Sequence, residues 1–202
     1  MSRLFRLIPI LLMLLFPAAA IGADLQKGLD AYDIGDYETS LAECQPLADE
    51  GDRTAQFCVG RLYANGFGVA MDDALALKYY GLAAEQGHSE AQFNLGVMHS
   101  NGWGVPMNED EGANWFRLAA EQGFVQAQTA LASICDSYAK NELAEAYMWY
   151  SIAEGLGDIN AGFKRDELES RLSEEELLNA KQQASTWLDN FDAKNLHAGR
   201  ID

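Results

Sequence analysis

Between residues 54 and 65 four apolar side chains, Ala55, Val59, Leu62 and Tyr63, fall at helical spacing. Steps of four, three and one place all four on a single face of an α-helix. A second stretch starts at Asp72, whose side-chain oxygen suits a helix N-cap. It runs through Ala76, Tyr79 and Tyr80 to "AAEQG", where Gly87 fits the left-handed position just past a helix end. The pattern predicts two antiparallel helices joined by the corner "NGFGV", residues 65–69.

The same pattern returns 36 residues later, with the corner "NGWGV" at 101–105, the cap Asn108, and Gly112, Trp115, Phe116 and Gly123. Aligned without a gap, residues 54–89 and 90–125 share 15 identical positions. Average residue usage gives roughly two or three by chance. The array continues from Ala127, in a unit about two residues shorter whose corner is Ser137–Asn141 in place of the glycine loop. A further unit precedes it at 24–51, with the tighter corner Gly35-Asp36-Tyr37. Gly60 and Gly96 fall where a side chain would hold a neighbouring helix away.

After Asp158 comes a polar helix with Phe163, Leu168 and Leu172 as its expected apolar side. Ser173 and Glu176 then have the spacing of a reciprocal capping box. Leu177, Ala180, Ala184, Trp187, Leu188 and Phe191 follow at helical spacing. A stripe of this kind covers the open end of a repeat array or binds a membrane or partner helix; covering the array is the expected role, because a terminal repeat cannot bury its own face. The expected organisation is a leader at 1–23, an N-terminal unit at 24–51, three repeats within 52–159 (about 54–89, 90–125 and 126–159), capping helices at 160–191 and a fraying tail at 192–202.

The glycine corners raise the question of phosphate binding. A dinucleotide loop follows a strand and carries a third glycine three residues after the second. Here a helix precedes the loop, and Met71 and Met107 stand at the third-glycine positions. No Gly-Lys-Ser/Thr follows, as a P-loop requires. Gly66 and Gly68 therefore read as corner residues that need unusual backbone angles.

The residues Ala55-Gln56, Gly60, Tyr63, Gly66, Gly68-Val69, Asp72, Ala76, Tyr80 and Ala83–Gly87, with their counterparts one repeat on, resemble the Sel-one-like repeat (SLR) family, relatives of the tetratricopeptide repeats. The resemblance is strong over Ala55–Gly157 and weaker, tetratricopeptide-like, over Asp24–Gly51. It implies an all-α fold, a right-handed α-solenoid of stacked antiparallel helix pairs with a C-terminal capping helix. It implies a scaffold for protein interactions and names no partner.

The N-terminus opens with Arg3 and Arg6, then an uncharged apolar run from Leu7 to Ala23 that ends in small residues. That is the layout of a cleaved secretory signal, with a cut after Ala23 or Ala20. The competing reading is a membrane anchor, but the run is short for the ~20 residues a spanning helix needs and contains Pro9. A cleaved leader of this form implies the bacterial periplasm or export beyond it, with no stable membrane insertion afterwards. Without Arg3 and Arg6 the chain has 12 basic and 31 acidic residues, a net charge of −19. Such a body repels nucleic acid and anionic lipid surfaces and attracts basic protein segments.

No chemistry-bearing constellation is visible. His88, His99 and His197 have no metal-ligand spacing with one another or with cysteines. The carboxylate clusters at 49–50, 72–73, 109–111, 166–167 and 174–176 sit mostly at helix ends, where charge meets the dipole. The expectation is no catalytic residue, no metal and no cofactor. Cys44 and Cys58 lie seven residues either side of the turn at Gly51, at about the same height on two antiparallel helices. They read either as a disulfide or as two small buried hydrophobes. Cys135 stands at the core position of Tyr63.

One row of residues is a candidate protein-binding surface. Phe57 and Arg61, Phe93 and Val97, and Thr129 and Ser133 occupy two equivalent positions, four apart, on the first helix of each repeat. They read either as an inner binding row or as core between units. The leading functional reading is a non-catalytic scaffold binding a protein or peptide of basic character. The alternatives are an enzyme acting on cell-wall material or a related antibiotic, and a secreted factor that meets a host.

Overall fold

A computed structural model describes residues 22–137 and 142–198. The leader reading falls almost wholly outside these residues, as do residues 138–141 of the third repeat's corner. The described residues form ten helices and no strand. Four antiparallel pairs follow one another: α1 Leu25–Asp33 with α2 Tyr37–Asp49, α3 Arg53–Asn65 with α4 Asp73–Glu85, α5 Ser89–Asn101 with α6 Glu109–Glu121, and α7 Val125–Ser137 with α8 Leu143–Gly155. Then come α9 Ile159–Glu169 and the long α10 Glu174–Ala198. From α1 to α9 each helix packs on the next in sequence, α10 returns to α8, and the core follows the stack as three clusters of buried residues.

Aspartate caps start five of these ten helices. Asp24, Asp36, Asp52 and Asp72 each accept a hydrogen bond from the backbone N–H three residues on, as does Asn108. At the corners Gly66 and Gly68 have φ of 67° and 69°, and Gly102 and Gly104 have 72° and 69°. The left-handed backbone lets the chain leave α3 and α5 at once and deliver Asp72 and Asn108 as caps. The helices of a pair approach closely because Gly60 lies under the ring of Tyr80 and Gly96 under that of Phe116.

Buried glutamines tie each pair to the one before. Gln56, Gln92 and Gln128 donate through Nε2 to Ala48, Ala84 and Ala120 carbonyls at 3.2, 3.0 and 3.1 Å. Gln86 and Gln122 donate in turn to the Oε1 of Gln56 and Gln92, at 2.8 and 2.7 Å. In the third repeat Leu156 stands where these second glutamines stand, and Gln128 Oε1 is buried without a partner.

The C-terminal cap opens with Ser173 N–H donating to Glu176 Oε2 at 2.9 Å and Glu176 N–H donating to Ser173 Oγ at 3.3 Å. The helix α10 folds back on α8, burying Ala180 and Ala184 and setting Trp187 edge-on to Trp149. Phe191 reaches the turn at Gly123. Two expectations need correction. Phe163 is 66% exposed: α9 meets α8 through Ala161, Gly162 and Leu168, and α10 lies on α8, so Ile159 and Phe163 face outward. Residues 192–198, expected in the tail, are helical and continue α10, with an exposed surface through Leu196.

Candidate interaction groove

Six positions recur wherever one pair meets the next. At the first junction they are Tyr32, Tyr37, Cys44, Cys58, Arg61 and Leu62. At the second they are Ala64, Asp73, Tyr80, Asn94, Val97 and Met98, and at the third Ser100, Glu109, Phe116, Ala130, Ser133 and Ile134. The register follows from the repeat length, with the shorter first corner shifting only Tyr32.

The second and third sets line depressions. The second junction holds one of about 170 Å³, also lined by Asn65 and Trp103. The third holds one of about 340 Å³, also lined by Ser137. Each has an aromatic floor, Tyr80 or Phe116, and an acidic residue at its side, Asp73 or Glu109. Burial pushes the Tyr80 phenol well above the usual range, so it stays neutral.

The first junction is filled. The Arg61 guanidinium lies 3.8 Å from the centre of the Tyr32 ring. Beneath it Cys44 and Cys58 are both buried, with sulfur atoms 2.8 Å apart. Ser40 Oγ lies 3.4 Å from the Cys58 sulfur. Cys44 donates to Cys58, which raises the Cys44 thiol and lowers that of Cys58. Phe67 stacks on Tyr37 at 4.4 Å beside this junction, whereas its counterpart Trp103 lines the second depression together with Asp73, which stands at the Tyr37 position, and is 51% exposed.

The six residues of the candidate row therefore separate into two kinds. Phe57, Phe93 and Thr129 form a seam to the next pair. Phe57 stacks on His88 at 4.4 Å, Phe93 lies 5.3 Å from Phe124, and Thr129 Oγ1 donates to Asp158 Oδ2 at 3.0 Å. Arg61, Val97 and Ser133 face the junctions: Arg61 covers the first, while Val97 and Ser133 line the two depressions. The cause is helix geometry. Positions four apart are neighbours but not equivalent, and the first lies a full turn nearer the next unit's start. From the sequence alone Ala64, Asp73, Asn94, Ser100 and Trp103 are not assigned to a binding surface, although the repeat register that aligns the corners also aligns them. A separate depression of about 280 Å³, lined by Trp187, Asn190, Phe191 and Lys194, lies outside this series.

Among the described residues, no group of three His, Cys, Asp or Glu side chains is placed to hold a metal ion. No described helix is long and apolar enough to cross a membrane.

Stacked helix pairs with a recurring side-chain register define an all-helical repeat scaffold. The Sel1 repeat model matches residues 54–88, 89–124 and 125–158, and the chain belongs to that family. A Sel1 repeat protein from Oxalobacter formigenes is similar in structure, with a TM-score of 0.66 and 32% identity over 70% of this chain. A protective antigen present in uropathogenic Escherichia coli strains, displaying an SLR fold, is similar in fold over 88% of this chain, with a TM-score of 0.50 and 21% identity. The chain spans 59% and 49% of the lengths of these two structures. No curated protein matches the sequence.

Proposed function

We propose that this protein is a non-catalytic scaffold of the bacterial cell envelope, and that the second and third junctions bind an extended segment of a partner protein. The observation that carries this reading is the repetition: two depressions, one repeat apart, share an aromatic floor and an acidic side. Such a series suits a chain that presents apolar side chains at intervals. Asp73 and Glu109, together with a net charge of −17, favour a partner segment bearing lysine or arginine. The envelope location is supported by the signal-like composition of residues 1–23.

The first junction supplies the test. Its lid, Tyr32 and Arg61, corresponds to Ala64 and Val97 at the second junction and to Ser100 and Ser133 at the third. Ala64→Tyr with Val97→Arg places over the second depression a pair that the fold already accommodates. The expected result is a melting temperature within a few degrees of the parent and loss of partner capture from envelope extract. Undiminished capture by the folded double variant overturns the proposal.

A further inference from the structure

We propose that Cys44 and Cys58 form a disulfide that locks α2 to α3 at the first junction. The two sulfurs face each other across that junction at 2.8 Å, so bonding needs an approach of less than an ångström. Both residues are essentially without solvent exposure, 0% and 1%.

The surroundings are arranged around a sulfur pair. At the equivalent places the second junction has Tyr80 opposite Asn94, and the third has Phe116 opposite Ala130. There one ring fills the space, lying over Gly60 or Gly96. At the first junction the space is filled from both sides by sulfur, with Cys44 seated on Gly28. A Cβ on Gly28 would lie 2.7 Å from that sulfur. The third cysteine, Cys135, is buried in the core that α8 covers, and burial raises its thiol to about 12. The three cysteines thus divide into one facing pair and one isolated thiol. No third metal-binding side chain joins the pair among the described residues.

The bond forms by exchange with a low-molecular-mass disulfide while α2 and α3 dock, before the sulfurs are closed off. One cysteine thiolate attacks a sulfur of the external disulfide and expels one thiolate, leaving a mixed disulfide. The second cysteine thiolate attacks the protein sulfur of that mixed disulfide and expels the other. The two cysteines are oxidised by two electrons, the external disulfide is reduced to two thiols, and the two cysteine protons end on those thiols. In the folded pair the hydrogen bond from Cys44 favours the thiolate of Cys58.

The experiment is refolding of the whole chain in a buffer of reduced and oxidised glutathione, then denaturation and alkylation without reductant. The proposal expects one alkyl group per chain, on Cys135, against three after reduction. Trypsin, cutting after Lys27, Arg53 and Arg61, should release peptides 28–53 and 54–61 joined and separable by reductant. The oxidised protein should show the helical circular dichroism of the reduced protein and melt several degrees higher. Three alkylated cysteines in the refolded protein overturn the proposal, and so does a bridge that includes Cys135. Loss of helix in the bridged form also overturns it, because the bond would then not belong to this fold.

Discussion

Gly60 and Gly81 show how one residue type serves two physical purposes within a single helix pair. A Cβ on Gly60 would lie 2.6 Å from Tyr80 Cδ1, inside the ring's own volume, whereas one on Gly81 meets nothing within 4 Å. Gly60→Ala should therefore destabilise by about 1–3 kcal/mol, the range for overpacking a filled core. Gly81→Ala should stabilise by up to about 1 kcal/mol, the helix-propensity difference. Urea unfolding of the two variants measures both signs. His88 carries a pH dependence of defined sign. Its ring stacks on Phe57, and burial holds its pKa below the ordinary value, against the opposing pull of Glu90. The unfolded chain thus binds the proton more tightly than the folded chain. The His88 contribution is complete above the unfolded pKa near 6.5 and is lost as pH falls through the lower folded value. Phe124 fills the same place in the next repeat against Phe93. His88→Phe should remove this part of the fall in urea midpoint between neutral pH and about pH 5.5. An unchanged slope would mean that another group carries it.

Successive helix pairs are joined by two kinds of contact, an apolar seam and a glutamine ladder, and the ladder can be tested step by step. Gln92 makes two side-chain hydrogen bonds, a buried one to the Ala84 carbonyl and a partly buried one from Gln122. Gln128 makes the first kind only, and its Oε1 has no partner because Leu156 replaces the expected glutamine. The Ala84 and Ala120 carbonyls keep a backbone donor in either case, from Gly87 and Gly123. At about 1 kcal/mol for each net hydrogen bond, replacement by leucine should then cost about 1–2 kcal/mol at Gln92 and close to nothing at Gln128, where the one bond lost is offset by removal of a buried oxygen that has no partner. Equal losses in thermal melts would show that the ladder does not set the difference. The elements themselves are legible in the sequence, since periodic apolar positions, aspartate caps and glycine corners are local and repeat in register. Phe163 was not, because its burial depends on where α10 lands, and α10 returns to α8. The seam and groove positions were not separated for a similar reason. Phe57 and Arg61 share a helix face, and only the placement of His88 and Tyr32 around them tells one role from the other.

At the scale of the whole molecule the array is graded along its length. The first junction is closed by Tyr32, Arg61 and the cysteine pair, the second opens to about 170 Å³ and the third to about 340 Å³. Stability in a stacked array comes from nearest-neighbour interfaces, so a tightened N-terminal junction and the α10 cap hold the two ends while the middle presents its surface. A bridge across Cys44 and Cys58 closes a loop of about 15 residues, for which chain entropy suggests roughly 3 kcal/mol. The central claim is that the middle junctions are where a partner binds. A photoactivatable cross-linking residue placed singly at Val97, Ser133, Leu82 and Leu118, in cells that make the protein, tests it most directly. Val97 and Ser133 line the two depressions, whereas Leu82 and Leu118 are exposed on the second helices α4 and α6, outside them. The account predicts the same cross-linked partner from Val97 and Ser133 and none from Leu82 or Leu118. Partner cross-linking confined to Leu82 and Leu118, or no cross-link from either groove position, would contradict it.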